Sequence, residues 1–266
     1  MRKLSLAHLG AIELSPPELV QVAARVGFDA VGLRLIAVND ASPGYALMDD
    51  ARLMRATKSA LHDCEMAVQD IEFVRVTPEL AHDLDALLPF LDCGAELGAQ
   101  QVICAPYDPD LARLSDSLAR ICDAAAGRGI GTLLEFFPWT NVPDLATCHA
   151  VAQQAGDVGI LVDALHFDRS GSAPGDLAQI PPQRLAMLHL CDAMRAGEYS
   201  TDELLFTARE ARLPPGQGQI DLAAIIAAMP ADCPVGVEVP MAAAQRRHGV
   251  EYVLRQCHDG ARALLA

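Results

Sequence analysis

Several common signatures are missing from this 266-residue sequence, and each absence argues against a class of protein. No apolar run reaches the roughly 18 residues that a membrane-spanning helix needs. The first residues lack the apolar stretch of a signal peptide. The eight cysteines include no Cys-x-x-Cys pair, which argues against a zinc knuckle or a thioredoxin-like site. We therefore expect a cytoplasmic protein with reduced thiols and no membrane partner.

Basic residues are also scarce. The 20 lysines and arginines are outnumbered by 35 acidic residues, which gives a net charge of −15. That balance disfavours nucleic acids and anionic membranes as partners. Neither lysine, Lys3 or Lys58, ends a predicted strand, so Schiff-base chemistry is not expected. A small-molecule substrate is the expected partner. The number of subunits stays open, and a homo-oligomer is compatible with the sequence.

Strand-like apolar runs alternate with helix-like segments along the whole chain. Hydrophobic residues make up 52% of it, enough for one large core, and no linker interrupts the alternation. Predicted strands begin near residues 4, 29, 67, 101, 132, 158, 185 and 234. Eight such units in about 250 residues predict a single α/β domain, a (β/α)8 TIM barrel over residues 1–266. A doubly wound open sheet is the alternative, weakened by the lack of a G-x-G-x-x-G motif after any strand.

Local signals set several element boundaries. Ser15 followed by Glu18 predicts a capping box at the start of a helix, and Gly27 predicts its end. Single helices are predicted over residues 80–97 and 249–265. A polar loop is predicted around Pro43, and a long polar segment without a helix over residues 192–219.

The second half of the chain carries four metal-capable side chains at predicted strand ends. They are Glu135, Asp163, His189 and Glu238. Because the C-terminal ends of barrel strands meet at one mouth, these side chains are expected to converge. Packed carboxylates repel one another, and one divalent ion (Mn, Mg, Co or Zn) would resolve the conflict. Two plainer interpretations stay open. Strand-end acids also form ion-pair rings, here with Arg169, Arg195 and Arg212. Asp163 alone could simply cap the next loop.

Four segments around these strand ends form a recognisable set of motifs. They are Leu134-Glu135-Phe136, Val162-Asp163-Ala164-Leu165-His166, His189-Leu190-Cys191-Asp192-Ala193-Met194-Arg195 and Val237-Glu238-Val239-Pro240. The motifs resemble those of the xylose isomerase-like TIM barrels, the sugar (phosphate) isomerase/epimerase superfamily, and the resemblance covers essentially the whole chain. It implies a metal on the four strand-end residues, and substrate contacts from His166 and Arg195. Arg169 and Arg212 would suit a substrate carboxylate or phosphate, because arginine forks bind both groups, although a surface ion pair is the alternative for each.

The resemblance implies an isomerase or epimerase of a small sugar or hydroxy-keto compound. The metal would stabilise an enediolate while Glu135 and Glu238 remove and return a proton. A dehydratase of an inosose or of 3-dehydroshikimate would share that first step, and Arg169 and Arg212 would favour a carboxylated substrate of this kind. A non-catalytic binding barrel is a third hypothesis. An abasic-site endonuclease is disfavoured by the negative charge and by the lack of histidines at the ends of strands three and four. His8 and Trp139 are further candidates to line the pocket.

Overall fold

The predicted barrel is confirmed: eight parallel strands close in chain order, with each strand hydrogen-bonded to the next and the eighth to the first. We use a computed structural model that describes residues 2–38 and 44–266, so the predicted loop residue Pro43 lies outside the described residues. The strands are β1 (Leu4–Leu6), β2 (Ala30–Arg34), β3 (Ala67–Val76), β4 (Gln101–Pro106), β5 (Gly131–Glu135), β6 (Val158–Asp163), β7 (Leu185–Leu190) and β8 (Val235–Val237).

Helices surround the barrel. They are α1 (Pro16–Val26), α2 (Ala51–Asp63), α3 (Leu88–Glu96), α4 (Leu111–Ala126), α5 (Leu145–Gln154), α6 (Ala164–Arg169), α7 (Pro174–Leu177), α8 (Thr201–Glu210), α9 (Leu222–Ala228), α10 (Ala242–His248) and α11 (Val250–Leu264). The predicted capping box of α1 is present, since the Ser15 N–H donates to Glu18 Oε2 over 2.9 Å. Across residues 2–38 and 44–266, no helix combines the length and the hydrophobicity that crossing a bilayer requires.

Three helical regions differ from the prediction. The helix predicted over residues 80–97 is reduced to α3, which starts beside Pro89 because proline lacks an N–H and fits only the first helical turn. No helix was predicted directly before residue 249, but α10 ends there, and the φ of +89° at Gly249 separates it from α11, which matches the predicted closing helix. Helix α8 lies inside the segment predicted to be irregular. Of its residues only Ala208 is buried, so the sequence carries no strong apolar stripe there.

The interior of the barrel explains why the strand-end side chains meet. A small apolar cluster from β4 to β7 fills the barrel; its fully buried members are Ile103, Leu133, Leu161 and Met187. Side chains of a strand alternate between two faces. Glu135, Asp163 and His189 each lie two residues beyond a member of this cluster, and therefore point inward at the C-terminal mouth.

Candidate active site

The four predicted strand-end residues do converge at the barrel mouth. Asp163 and His189 are register partners, and the Glu238 N–H continues the β7–β8 pairing by donating to the Leu190 carbonyl over 3.1 Å. One ligand atom from each of Glu135, Asp163, His189 and Glu238 lies within 4.8 Å of the others, and all four residues are buried. The geometry thus groups three carboxylates with one imidazole.

The environment of His189 fits a metal ligand. Its ring is buried, and neither nitrogen has a hydrogen-bond partner among the residues that the structure describes. Nδ1 lies 3.9 Å from Glu238 Oε1. Gly236, the register partner of His189 on β8, leaves room for the ring, because an added Cβ would lie 2.6 Å from Cδ2. A buried imidazole without a partner that faces carboxylates is suited to a divalent cation.

The charges at the barrel mouth also favour a divalent cation. The pKa of Glu135 is raised well above its usual range, first by burial, then by the charges of Glu238 and Asp163, and in part by Glu72. Burial also raises the pKa of Glu238, against the lowering effect of Arg212. Three carboxylates beside one guanidinium leave two negative charges when all are ionised. A divalent cation would neutralise that excess.

Arg212 lies inside the site rather than in a surface ion pair. Its side chain is 2% exposed; Nη1 donates to Asp163 Oδ2 over 2.6 Å, and Nη2 lies 2.8 Å from Glu238 Oε2. Burial opposes ionisation of Asp163, but this guanidinium lowers the pKa of its carboxyl to about 2. Arg212 thus holds two of the candidate ligands. Its predicted contact with a substrate stays a prediction.

Asp163 fits both interpretations drawn from the sequence, since it caps a helix and also belongs to the group of converging residues, and His166 lies beside it. Asp163 Oδ1 accepts the backbone N–H groups of Leu165 and His166 over 2.9 and 3.0 Å, so it caps α6 while its other oxygen faces Arg212. His166 does line the cavity, with Nε2 3.7 Å from Glu135 Oε1. Burial lowers the pKa of His166 to about 3, so its imidazole is neutral.

Arg169 and Arg195 are not among the residues that line the cavity, and their predicted contact with a substrate stays a prediction. Both bind Asp168 on α6, and Arg195 donates from Nε to Asp168 Oδ1 over 2.7 Å with half of its side chain exposed. The physical reason is a chain excursion between Asp192 and Leu213, which form an antiparallel bridge. The polypeptide leaves the barrel at Asp192 and returns at Leu213. Arg212, rather than Arg195, therefore reaches the mouth.

A cavity of about 390 Å³ opens above the four converging residues. One wall is aromatic and includes the neighbouring rings of Tyr107, Phe137 and Trp139. Trp139 stacks on Phe137 with ring centroids 5.0 Å apart, as expected for a residue predicted to line the pocket. His8 does not line this cavity. Its Nδ1 accepts the Arg34 N–H and its Nε2 donates to the Leu14 carbonyl, both over 2.9 Å.

Sequence reasoning missed Arg34 and Glu72 as a pair that lines the β2–β3 side of the cavity. Arg34 Nη2 lies 3.1 Å from Glu72 Oε2, and both side chains are 3% exposed. Asp70, two residues before Glu72 on β3, is also buried. Asp70 faces Gly32, and burial followed by the Glu72 charge raises its pKa well above the usual range. No sequence signal linked Arg34 to Glu72 across the strands.

Comparison with protein-family models identifies a xylose isomerase-like TIM barrel over residues 20–257. A comparison with curated proteins gave no significant match. Many solved structures share the fold. The IOLI protein crystallised with a zinc atom has a TM-score of 0.81 and 18% identity, with 99% of this chain and 98% of that one covered.

Two other similar structures have stated activities. One is a D-psicose 3-epimerase from Clostridium cellulolyticum H10 with D-tagatose (TM-score 0.75, 14% identity, 99% of both chains covered). The other is the probable 3-DHS dehydratase AsbF from Bacillus anthracis (TM-score 0.75, 15% identity, 97% of both chains covered). The chain spans only 39% of a longer similar protein, a fusion of such a barrel with a 4-hydroxyphenylpyruvate dioxygenase (TM-score 0.75, 23% identity, 90% of this chain covered). At these identities the likeness shows the fold alone.

Proposed function

The chain belongs to the xylose isomerase-like TIM barrel family, and on that premise we propose that it is a divalent-metal-dependent isomerase or epimerase of a small hydroxy-keto compound. The observation that carries the proposal is the convergence of Glu135, Asp163, His189 and Glu238, with their ligand atoms within 4.8 Å, at the base of a cavity of about 390 Å³. A divalent ion held there would supply positive charge to the oxygens of a hydroxy-keto group.

The residues of the chain have distinct tasks in this proposal. Glu135 on β5 and Glu238 after β8 approach the cavity from different sides of the mouth and both line it. One would remove the proton next to the carbonyl and the other would return it. Neutral His166 would donate to or accept from a substrate oxygen. The aromatic wall would limit the access of water to the reacting carbon.

A dehydratase is the alternative reaction, and it begins with the same proton abstraction. The sequence argument for a carboxylated substrate rested on Arg169 and Arg212. Both guanidinium groups are bound by carboxylates of the chain itself, so that argument finds no support in the structure. A non-catalytic barrel would need the unpartnered imidazole of His189 to be purely structural, which is a costly arrangement.

The experiment combines elemental analysis with solvent-deuterium exchange. Protein purified without chelator should contain about one equivalent of divalent metal, and it should exchange the proton next to the carbonyl of a ketose or an inosose in D₂O. Glu238→Gln should abolish exchange yet retain metal and substrate binding, whereas Glu96→Gln, at an exposed surface ion pair, should behave as the parent. Full exchange by Glu238→Gln, or protein that takes up no Mn²⁺ or Zn²⁺, would refute the proposal.

A further inference from the structure

We propose that Arg34 and Glu72 form a binding subsite for an uncharged, hydroxyl-bearing end of the substrate. The inference rests on the proposed function, which places the reacting hydroxy-keto group at the four converging residues. It assigns the β2–β3 side of the same cavity to the part of the substrate that does not react.

The pair is rigidly built into the wall. Arg34 and Glu72 are register partners on neighbouring strands, and both line the cavity. Their side chains are joined by the 3.1 Å contact between Nη2 and Oε2 and are nearly inaccessible. The Arg34 guanidinium also lies 4.9 Å from the centroid of the Phe73 ring, a cation–π distance. Packing on several sides fixes where a ligand atom would find these groups.

The pair leaves one donor and one acceptor unused. Arg34 Nε and Glu72 Oε1 are both buried and have no hydrogen-bond partner among residues 2–38 and 44–266. Buried polar groups are almost always paired, because leaving them unpaired is costly. A hydroxyl group can donate and accept at once. A substrate hydroxyl group could therefore satisfy either atom, whereas a carboxylate, having no proton to donate, could not satisfy Glu72 Oε1.

Charge disfavours an anionic ligand at this wall. Burial opposes ionisation of Glu72, but the adjacent Arg34 brings the pKa of its carboxyl below the usual value. Both groups are therefore charged, and the pair carries no net charge. The other buried guanidinium groups near the site, Arg169 and Arg212, also serve carboxylates of the chain. At this wall a substrate carboxylate would face the Glu72 charge, and the other arginines that line the cavity, Arg209 and Arg246, are exposed rather than buried beside the pair. A polyhydroxy ketone would avoid that repulsion.

The test compares neutral and anionic ligands on matched variants. Zinc-loaded protein is titrated by calorimetry with D-tagatose, D-fructose, an inosose and 3-dehydroshikimate. The apolar double variant Arg34→Met with Glu72→Met removes the pair without leaving a buried unpaired charge. The control, Lys58→Met with Glu96→Met, removes an exposed pair on α2 and α3 and changes net charge equally. If the double variant does not fold, Arg34→Lys takes its place, because lysine keeps the positive charge but lacks the Nε donor.

We expect at least one neutral ligand to bind the parent at least tenfold more tightly than 3-dehydroshikimate. The double variant should weaken that binding at least about 10-fold, as the loss of one hydrogen bond to a charged group predicts, while the control changes it less than twofold. Arg34→Lys should weaken it at least threefold. Tightest binding of 3-dehydroshikimate, no binding of any neutral ligand, or parent-like affinity in the variants would overturn the subsite.

The experiment distinguishes failure of the proposed subsite from failure of the proposed reaction. If the parent binds a neutral ligand through Arg34 and Glu72 but exchanges no proton in D₂O, the subsite stands and the proposed reaction falls. If exchange occurs and the double variant retains parent-like affinity, the reaction stands and the subsite falls.

Discussion

Gly236→Ala should impair metal binding although it leaves all four candidate ligand residues unchanged. Gly236 is the register partner of His189, and a Cβ added there would lie 2.6 Å from Cδ2 and 2.8 Å from Nε2 of the imidazole. Real carbon contacts lie at about 3.5–4.0 Å, so the ring would have to retreat by about 1 Å. Met187 Cε, 3.1 Å from the same added atom, leaves little space on that side.

The magnitude follows from the tolerance of metal sites. Ligand distances are held to about 0.2 Å, so a displacement of about 1 Å removes most of the imidazole's contribution. Changes in the residues that orient a ligand typically cost about 10- to 100-fold in affinity, which we take as the expected loss. Overpacking should also cost about 1–3 kcal/mol of stability, or about 2–4 °C in Tm for each kcal/mol in a protein of this size.

The assay is competition for Zn²⁺ with a fluorescent chelator at 20 °C, where both proteins remain folded. Gly131→Ala is the matched control. Gly131 lies on β5, and an added Cβ there comes no closer than 3.6 Å to other atoms. This control should bind Zn²⁺ within twofold of the parent. Parent-like Zn²⁺ affinity in Gly236→Ala, with the fold intact by circular dichroism, would show that His189 is not a ligand.

Three further outcomes are expected. His189→Ala should lower metal occupancy and regain part of its activity at high metal concentration. The activity of Glu238→Gln should not return when metal is added. Full metal occupancy in His189→Ala would refute the four-residue site. Arg212→Met should leave Asp163 and Glu238 without their counterion and destabilise the metal-free protein by about 3–5 kcal/mol. Saturating Zn²⁺ should restore part of that loss in thermal melts. A melting temperature equal to that of the parent would contradict this prediction. Burial lowers the pKa of His8 to about 4, so its imidazole stays neutral in the folded protein, whereas it protonates near pH 6.5 in the unfolded chain. The contribution of His8 to stability should thus fall as pH drops from about 6.5 to 4, by up to about 1.4 kcal/mol per pH unit in urea unfolding. His166 adds a slope of the same sign, so His8→Asn should make the profile shallower without removing it; an unchanged slope would contradict the role of His8.

The sequence by itself determined the barrel and the residues that converge. Continuous apolar strands, each followed by a helical pattern, admit few arrangements other than a closed parallel barrel at this length. Period two then fixes which side chains point inward, so Glu135, Asp163 and His189 share the mouth whatever the loops do. Capping signals such as Ser15 with Glu18 act over three or four residues, and the structure reproduces them.

Only the tertiary structure decided which arginine reaches the site and what each one binds. The sequence offered Arg169, Arg195 and Arg212 as candidates, and the chain excursion between Asp192 and Leu213 leaves Arg212 at the mouth, bound to Asp163. The Arg34–Glu72 pair depends on strand register, and the room for His189 depends on Gly236 from another strand. Spacing along the chain encodes local periodicity, whereas ion pairing and packing depend on distances between segments that the fold alone brings together.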